Sequence, residues 1–144
     1  MNQVECCPRV PVSWGELLDK ITILQIKSER ISGGEARANV ARELASLSRV
    51  AGTALRLVKP LLEQLRAVNE ELWEIEDKIR EREADGDFGQ RFVQLARSVY
   101  KKNDLRAAIK RHINQALGSE LVEEKSYAGW QTATAAMAQP LSPA

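Results

Sequence analysis

The sequence contains few aromatic residues, and this scarcity argues against an all-β fold. Only seven of its 144 residues, 5%, are Phe, Trp or Tyr, whereas Ala, Leu, Glu and Arg are abundant. Strands draw on aromatic and β-branched side chains, while Ala, Leu, Glu and Arg favour helices. Hydrophobic residues make up 44% and charged residues 28%, the usual balance of a folded chain. We therefore expect an all-α fold.

Cysteine and histidine are also scarce, which removes the usual ligands of a protein metal site. The two cysteines, Cys6 and Cys7, are adjacent, and the single histidine is His112. Neighbouring cysteines rarely form an unstrained disulfide, and zinc requires separated Cys or His ligands. Nucleotide-binding, zinc-protease and serine-hydrolase motifs are absent. The sequence therefore predicts no metal site and no cofactor, and it assigns no catalytic residue.

Long apolar runs are missing as well. No stretch approaches the roughly 18 consecutive apolar residues that a membrane span requires, and the first residues do not resemble a secretory signal. We expect a cytoplasmic protein with reduced thiols and no membrane partner. The length suits one compact domain. We predict a flexible leader over 1–12, a single helical domain over 13–127 and a mobile tail over 128–144.

The first helix has a recognisable start and end. Ser13 and Glu16 fit a capping box, in which the hydroxyl accepts from the Glu amide and the carboxylate reaches back. Gly33 and Gly34 then interrupt the apolar pattern. The spacing predicts a helix from about Ser13 to Ile31.

From Val40 to Ile79 the apolar residues recur at alternating steps of four and three. This heptad-like pattern is typical of helices with a core-facing seam. The Leu-rich seam consists of Val40, Leu44, Leu47, Ala51, Ala54, Val58, Leu61, Leu65, Val68, Leu72, Ile75 and Ile79. Because Pro60 removes an amide donor, we predict a helix break near Lys59 and a new helix over 60–83. A kinked continuous helix is the alternative.

A further helical segment is predicted from Phe88 to Gly118. Its apolar phase slips at Asn103 and Asp104, which are both good capping residues, so the slip predicts a kink or a fresh helix start there. The whole pattern predicts an antiparallel bundle of four to five helices with the Leu-rich seam as its core.

The net charge of +1 conceals two blocks of opposite sign. Residues 61–87 contain ten acidic and four basic side chains, and residues 91–112 contain seven basic side chains and one acidic one. On antiparallel neighbouring helices the two blocks are expected to pair with each other. A nucleic-acid surface on the 91–112 basic segment is the competing interpretation, and we rank it third among the functions because its cations point around the helix.

Several polar side chains lie within these amphipathic helices. Each has an ordinary explanation, such as an ion pair of Lys20 with Glu16, packing by Trp73 or capping by Asn103. Together they predict a cleft for a carboxylate or phosphate ligand, which Glu76 would orient or supply with a proton. The candidate ligand-binding residues are Lys20, Lys27, Asn69, Trp73, Glu76, Arg97, Tyr100, Asn103 and Arg106.

Four segments, Val12–Leu24, Leu72–Asp77, Ala96–Lys110 and Glu123–Tyr127, resemble a bacterial all-helical domain family of unknown function. The resemblance runs from about Pro11 to Tyr127. It implies that residues 119–127 belong to the domain and pack on it. It supplies no activity and no catalytic residues.

The sequence is therefore consistent with three functions. The first is a non-enzymatic interaction or self-association module, because the long seam exceeds what the remaining helices cover; its partner would be a second copy or another helical protein. The second is a domain or enzyme that binds a small anionic ligand between helices. Nucleic-acid binding is the third.

Overall fold

The protein is built from helices alone in the part that the structure, a computed structural model, describes, namely residues 3–126. The element order is α1 (Trp14–Arg30), α2 (Gly34–Ala51), α3 (Ala54–Leu57), α4 (Lys59–Ala84) and α5 (Gln90–Ala116). The predicted all-α class is confirmed. The proposed tail over 128–144 lies outside the described residues.

The predicted bounds of α1 are confirmed at both ends. The Ser13 hydroxyl accepts a hydrogen bond from the amide of Glu16 at 3.2 Å, and the amide of Ile31 donates to the carbonyl of Lys27 at 2.9 Å. The second half of the capping box is replaced, because the Glu16 carboxylate binds Lys110. The start of α1 is thereby tied to α5.

The Leu-rich seam is divided by two interruptions. α2 ends at Gly52, whose φ of 53° is readily adopted by glycine, and the short α3 follows. α4 begins at Lys59 with Pro60 in its first turn, where a missing amide leaves no helical hydrogen bond unmade. The predicted break is confirmed, and the kinked continuous helix is wrong.

The predicted fresh start at Asn103 and Asp104 is wrong. α5 is one continuous helix, and both residues lie half-buried in its middle. The apolar phase changes because the neighbours of α5 change along its length. The first half faces α4, whereas the second half, which contains Ile109 and Ile113, also faces α1.

The main hydrophobic core lies where α1 crosses the antiparallel pair α4 and α5, while α2 packs on the other side of α1. Its most deeply buried side chains are those of Leu18, Ile21, Leu65 and Ile113, each with no exposed surface. Within residues 3–126 no helix is long and apolar enough to cross a membrane.

Candidate functional site

A buried polar network lies between α1, α4 and α5. Asp19 and Thr22 are three residues apart and therefore share one face of α1. The amide nitrogen of Asn69 donates to the Asp19 carboxylate and to the Thr22 hydroxyl, both at 2.9 Å. The hydroxyl of Thr22 in turn donates to the Asp19 carbonyl at 2.7 Å. All three side chains are buried, so the bundle excludes water from these bonds.

The network turns the carbonyl oxygen of Asn69 toward α5. Both amide hydrogens of Asn69 are taken by α1, and its Oδ1 accepts from Nη1 of Arg106 at 3.3 Å. Arg106 is half-buried. The arrangement fixes the orientation of the Asn69 amide because the opposite orientation would place two donors against each other.

Lys110 connects three carboxylates from two parts of the chain. Its Nζ lies 2.8 Å from Glu16 Oε2, 2.9 Å from Glu123 Oε2 and 3.8 Å from Asp19 Oδ2. Burial lowers the pKa of Lys110, but the hydrogen bonds of Glu123 and Glu16 and the charge of Asp19 outweigh it, so the pKa is raised overall. The ammonium group therefore remains charged although only 9% of the side chain is exposed.

The C-terminal segment packs against the start of α1 and the end of α5, as the family resemblance implied, over its described part. Ser119 Oγ accepts from the amide of Trp14 at 3.2 Å. Glu123 pairs with Lys110, and Glu124 pairs with Arg111 at 3.0 Å. Tyr127 lies outside the described residues.

A pH dependence follows from the Lys110–Glu123 pair. The hydrogen bond from Lys110 lowers the pKa of Glu123, which burial opposes. This pair therefore stabilises the fold above the ordinary Glu pKa of about 4.3 and ceases to do so as the pH falls through the lowered value. We expect Glu123→Gln to reduce the free energy of unfolding at pH 7, measured by urea denaturation, and this difference from wild type to vanish below the lowered pKa.

Glu120→Gln is the matched control, because Glu120 is exposed and forms no ion pair within residues 3–126. Its unfolding curve is expected to match wild type at each pH. An equal loss in both variants, or a loss in Glu123→Gln that persists at low pH, would contradict the assignment.

Four of the nine predicted ligand-binding residues lie on two successive turns of the α4–α5 pair. Asn69 and Arg106 are in contact. Trp73 lies one turn after Asn69, and Asn103 lies one turn before Arg106; both are half-buried. Because α4 and α5 are antiparallel, these two turns lie on the same side of the Asn69–Arg106 contact.

The other five predicted residues are placed elsewhere. Lys20 pairs with Glu43 of α2 at 2.7 Å rather than with Glu16, and Lys27 lies seven residues further along the same helix. The remaining three are on α4 and α5: Glu76 pairs with Arg80, and Arg97 contacts Tyr100. The nine side chains therefore do not converge on one cavity, and ligand binding by them stays a prediction.

Sequence reasoning did not include Asp19, Thr22 and Lys110 among the site residues. Asp19 and Thr22 could have been selected from the sequence, because they are polar residues beside the apolar face of α1. Lys110 could not have been selected from a local sequence pattern. Its partners lie 94 and 13 residues away in the chain, and only the packing of α1 and the C-terminal segment brings them together.

A separate cavity of about 310 Å³ lies at the N-terminal end of α1. None of the nine predicted residues lines it. The residues that line the cavity include Pro11, Val12, Trp14, Leu17, Val50 and Leu121.

Within residues 3–126 no group of three His, Cys, Asp or Glu side chains is placed to hold a metal ion.

The two charge blocks pair less with each other than predicted. Among the described residues one ion pair joins them, between Lys102 and Glu71. Lys110 and Arg111 instead bind carboxylates of α1 and the C-terminal segment. Pairing along the full hairpin is therefore wrong, because α1 and the C-terminal segment cover the second half of α5.

Beyond the end of α1, the α4–α5 hairpin continues as an arm. The last residue of α1, Arg30, contacts Glu74 at 3.3 Å and stacks over Trp73 at 5.9 Å. We define the α4–α5 arm as residues 75–101, which comprise the second half of α4, the turn at Gly86 and the first half of α5.

Comparison with known proteins identifies the family. The chain matches a family of unknown function, DUF6165, over residues 8–139. The chain belongs to the DUF6165 family. The match covers all five helices and continues beyond the described residues. No curated protein matches the chain. No solved structure matches it either.

Proposed function

We propose that this DUF6165 domain is a self-association module whose α4–α5 arm packs against the arm of a second copy. The observation that carries the proposal is that residues 3–126 cover the arm incompletely. Four apolar residues of the arm lie outside the main hydrophobic cluster, and one of the four, Leu95, is buried. The other three, Ile75, Ile79 and Phe92, are half-buried. Two arms side by side would complete a four-helix arrangement.

Apolar side chains on the outside of the arm add to this surface. Val93 is 50% exposed, and Phe88, which stacks edge-on against Phe92 with ring centroids 5.4 Å apart, is 55% exposed. Full burial of such a side chain contributes about 1.5–3 kcal/mol. Covering the exposed halves of both residues on two copies contributes about 3–6 kcal/mol, which by itself only offsets the lower estimates of the cost of association, about 4 kcal/mol. The net stability of the dimer therefore comes from the further burial of Ile75, Ile79 and Phe92 and from charge pairing between the two arms. We expect a weak, concentration-dependent dimer.

The charges of the arm favour a second copy as the partner. The α4 part of the arm and its turn contain six acidic and three basic side chains, whereas residues 90–101 contain three basic side chains and no acidic one. Arg91, Arg97 and Lys101 form no ion pair with the acidic half within the described part of the chain. In a two-fold dimer the basic half of each arm can face the acidic half of the other.

Sedimentation velocity tests the proposal between about 5 and 500 μM, a range that detects association as weak as about −5 kcal/mol. We expect the mean mass of the wild-type chain to rise with concentration. Val93→Asp should weaken association about tenfold or more, because a charge would enter an apolar contact. Leu57→Asp is the matched control, since Leu57 is 73% exposed and lies on α3, away from the arm.

Charge reversal gives a stricter test. A chain with Arg91→Glu and Arg97→Glu has an acidic arm, and a chain with Glu81→Lys and Glu83→Lys has a more basic one. Each is expected to associate less than wild type, and their mixture is expected to form a heterodimer. A monomeric wild-type mass at every concentration, or equal effects of Val93→Asp and Leu57→Asp, would refute the proposal. Binding to RNA or DNA without self-association would favour the basic segment as a nucleic-acid surface instead.

A further inference from the structure

Arg106 differs from the charged residues on either side of it. Lys102 and Lys110 lie one turn before and one turn after it on the same face of α5, and each is paired with a carboxylate. Arg106 has no carboxylate within ion-pair distance among residues 3–126, and its bonded partner is the neutral amide oxygen of Asn69. A half-buried guanidinium group is therefore held by a neutral group, although the chain contains 20 acidic residues.

Arg106 is held by a side chain whose own orientation is fixed. Asn69 is only 4% exposed, and its orientation is determined by Asp19 and Thr22. One N–H of the guanidinium group is directed at Asn69, and within residues 3–126 the other four of its five donors have no hydrogen-bond partner. The network therefore presents a half-buried charged donor group at the contact between α4 and α5.

Two further side chains lie beside this position. Asn103 is one turn before Arg106, and Trp73 is one turn after Asn69, so both lie on the next turn of the antiparallel α4–α5 pair. Arg30 stacks over the Trp73 ring, which adds a second guanidinium group nearby, although this one is paired with Glu74. A cation with free donors, an amide and an aromatic ring are the groups that bind a small organic anion.

We propose that Arg106 binds the carboxylate or phosphate group of a small organic anion, with Asn103 and Trp73 beside the bound molecule. The planar guanidinium fork can donate two parallel hydrogen bonds to two oxygens of either group. Asn69 acts as a positioning residue, because it holds the fork. The proposal is independent of self-association, since none of these four side chains belongs to the apolar surface of the arm.

Isothermal titration calorimetry and thermal unfolding test the site with two probes, inorganic phosphate and benzoate, against sodium chloride at equal ionic strength. We expect saturable binding of at least one probe. Tighter binding of benzoate indicates a carboxylate ligand with a ring, and tighter binding of phosphate indicates a phosphate ligand. The chloride control removes the general effect of salt.

Arg106→Gln is expected to weaken binding about ten- to hundredfold, the loss of hydrogen bonds to a charged group. Arg106→Lys keeps the charge without the fork and should bind with intermediate affinity. Arg49→Gln removes an exposed arginine of α2, away from both Arg106 and the arm, and should bind like wild type. As a measurement on the wild-type chain, the Trp73 indole N–H resonance, assigned with Trp73→Phe, should shift on titration.

The proposal is overturned if phosphate and benzoate give no more binding heat or thermal stabilisation than chloride does. It is overturned as well if Arg106→Gln and Arg49→Gln lose the same amount of binding affinity. It is also overturned if the probe binds while the Trp73 resonance stays unchanged. These outcomes do not depend on whether the chain dimerises, because the binding measurements can be made at low protein concentration. If Arg106→Gln is unfolded, Arg106→Lys and the resonance shift decide the question.

Discussion

Replacing Lys110 by methionine is expected to lower the free energy of unfolding by about 3 kcal/mol, the loss typical of removing one partner of a buried ion pair. Methionine retains most of the apolar length of the side chain, so the decrease in the free energy of unfolding reflects the removal of the charge. Asp19, whose side chain is 8% exposed, would lose its nearest cation. Urea denaturation at pH 7 measures the change, and thermal unfolding should show a decrease of about 10 °C.

Lys101→Met is the matched control for this prediction. Lys101 is an exposed residue of the same helix and forms no ion pair within the described part of the chain, so its replacement should change stability by less than about 0.5 kcal/mol. In the Asp19→Asn background, Lys110→Met should cost less than in wild type, because the uncompensated charge is gone. Equal costs in the two backgrounds would show that Asp19 and Lys110 are not coupled.

The stability that Lys110 contributes also has a defined pH window. Because its pKa is raised in the folded chain, its contribution is complete below the ordinary Lys pKa of about 10.4 and is lost as the pH rises through the raised value. The difference between wild type and Lys110→Met should therefore decrease at strongly alkaline pH.

Replacing Gly15 by alanine is expected to cost about 2–3 kcal/mol, at the upper end of what overpacking costs. An added Cβ would lie 2.7 Å from the carbonyl oxygen of Lys110 and 3.1 Å from Asn114 Oδ1. The first of these is backbone and cannot rotate away. α1 and α5 would have to separate, which would also stretch the 2.6 Å hydrogen bond from the Gly15 amide to Asn114.

Gly34→Ala is the control for this substitution. Gly34 is the first residue of α2, and an added Cβ there meets no atom within 4 Å. Alanine is the better helix former by about 1 kcal/mol in a helix interior, so this variant should be as stable as wild type or slightly more stable. Comparing the thermal unfolding temperatures of the two variants distinguishes the effect of a close contact between helices from the effect of helix propensity. A Gly15→Ala variant as stable as Gly34→Ala would contradict the close approach of α1 and α5.

Local signals in the sequence predicted most of the fold correctly. The hydroxyl of Ser13 fixes the start of α1, and the missing amide of Pro60 fixes the division of the seam, because both effects act within one turn of helix. The wrong prediction at Asn103 and Asp104 also rested on effects that act within one turn of helix. They are good capping residues when taken alone, but the neighbours on α1 and α4 hold α5 as one helix.

The candidate site was predictable only in part. Asn69, Trp73, Asn103 and Arg106 could be selected as polar or aromatic residues near an apolar seam, since helical spacing alone relates them. Lys20 was expected to pair with Glu16 within its own helix, but it pairs with Glu43 of α2. The partner of a long charged side chain depends on which helix packs beside it, and spacing along one helix carries no such information.

The sequence by itself determined that this member of the DUF6165 family is helical, where its first helix begins and where its seam is interrupted, because periodicity, caps and proline act over a few residues. Only the tertiary structure decided how the charges are used. Lys110 joins residues 16, 19 and 123, Asn69 directs Arg106, and none of the five described helices covers the arm beyond Arg30. These features depend on the order and length of packed helices, since charge and burial act through space between residues distant in the chain.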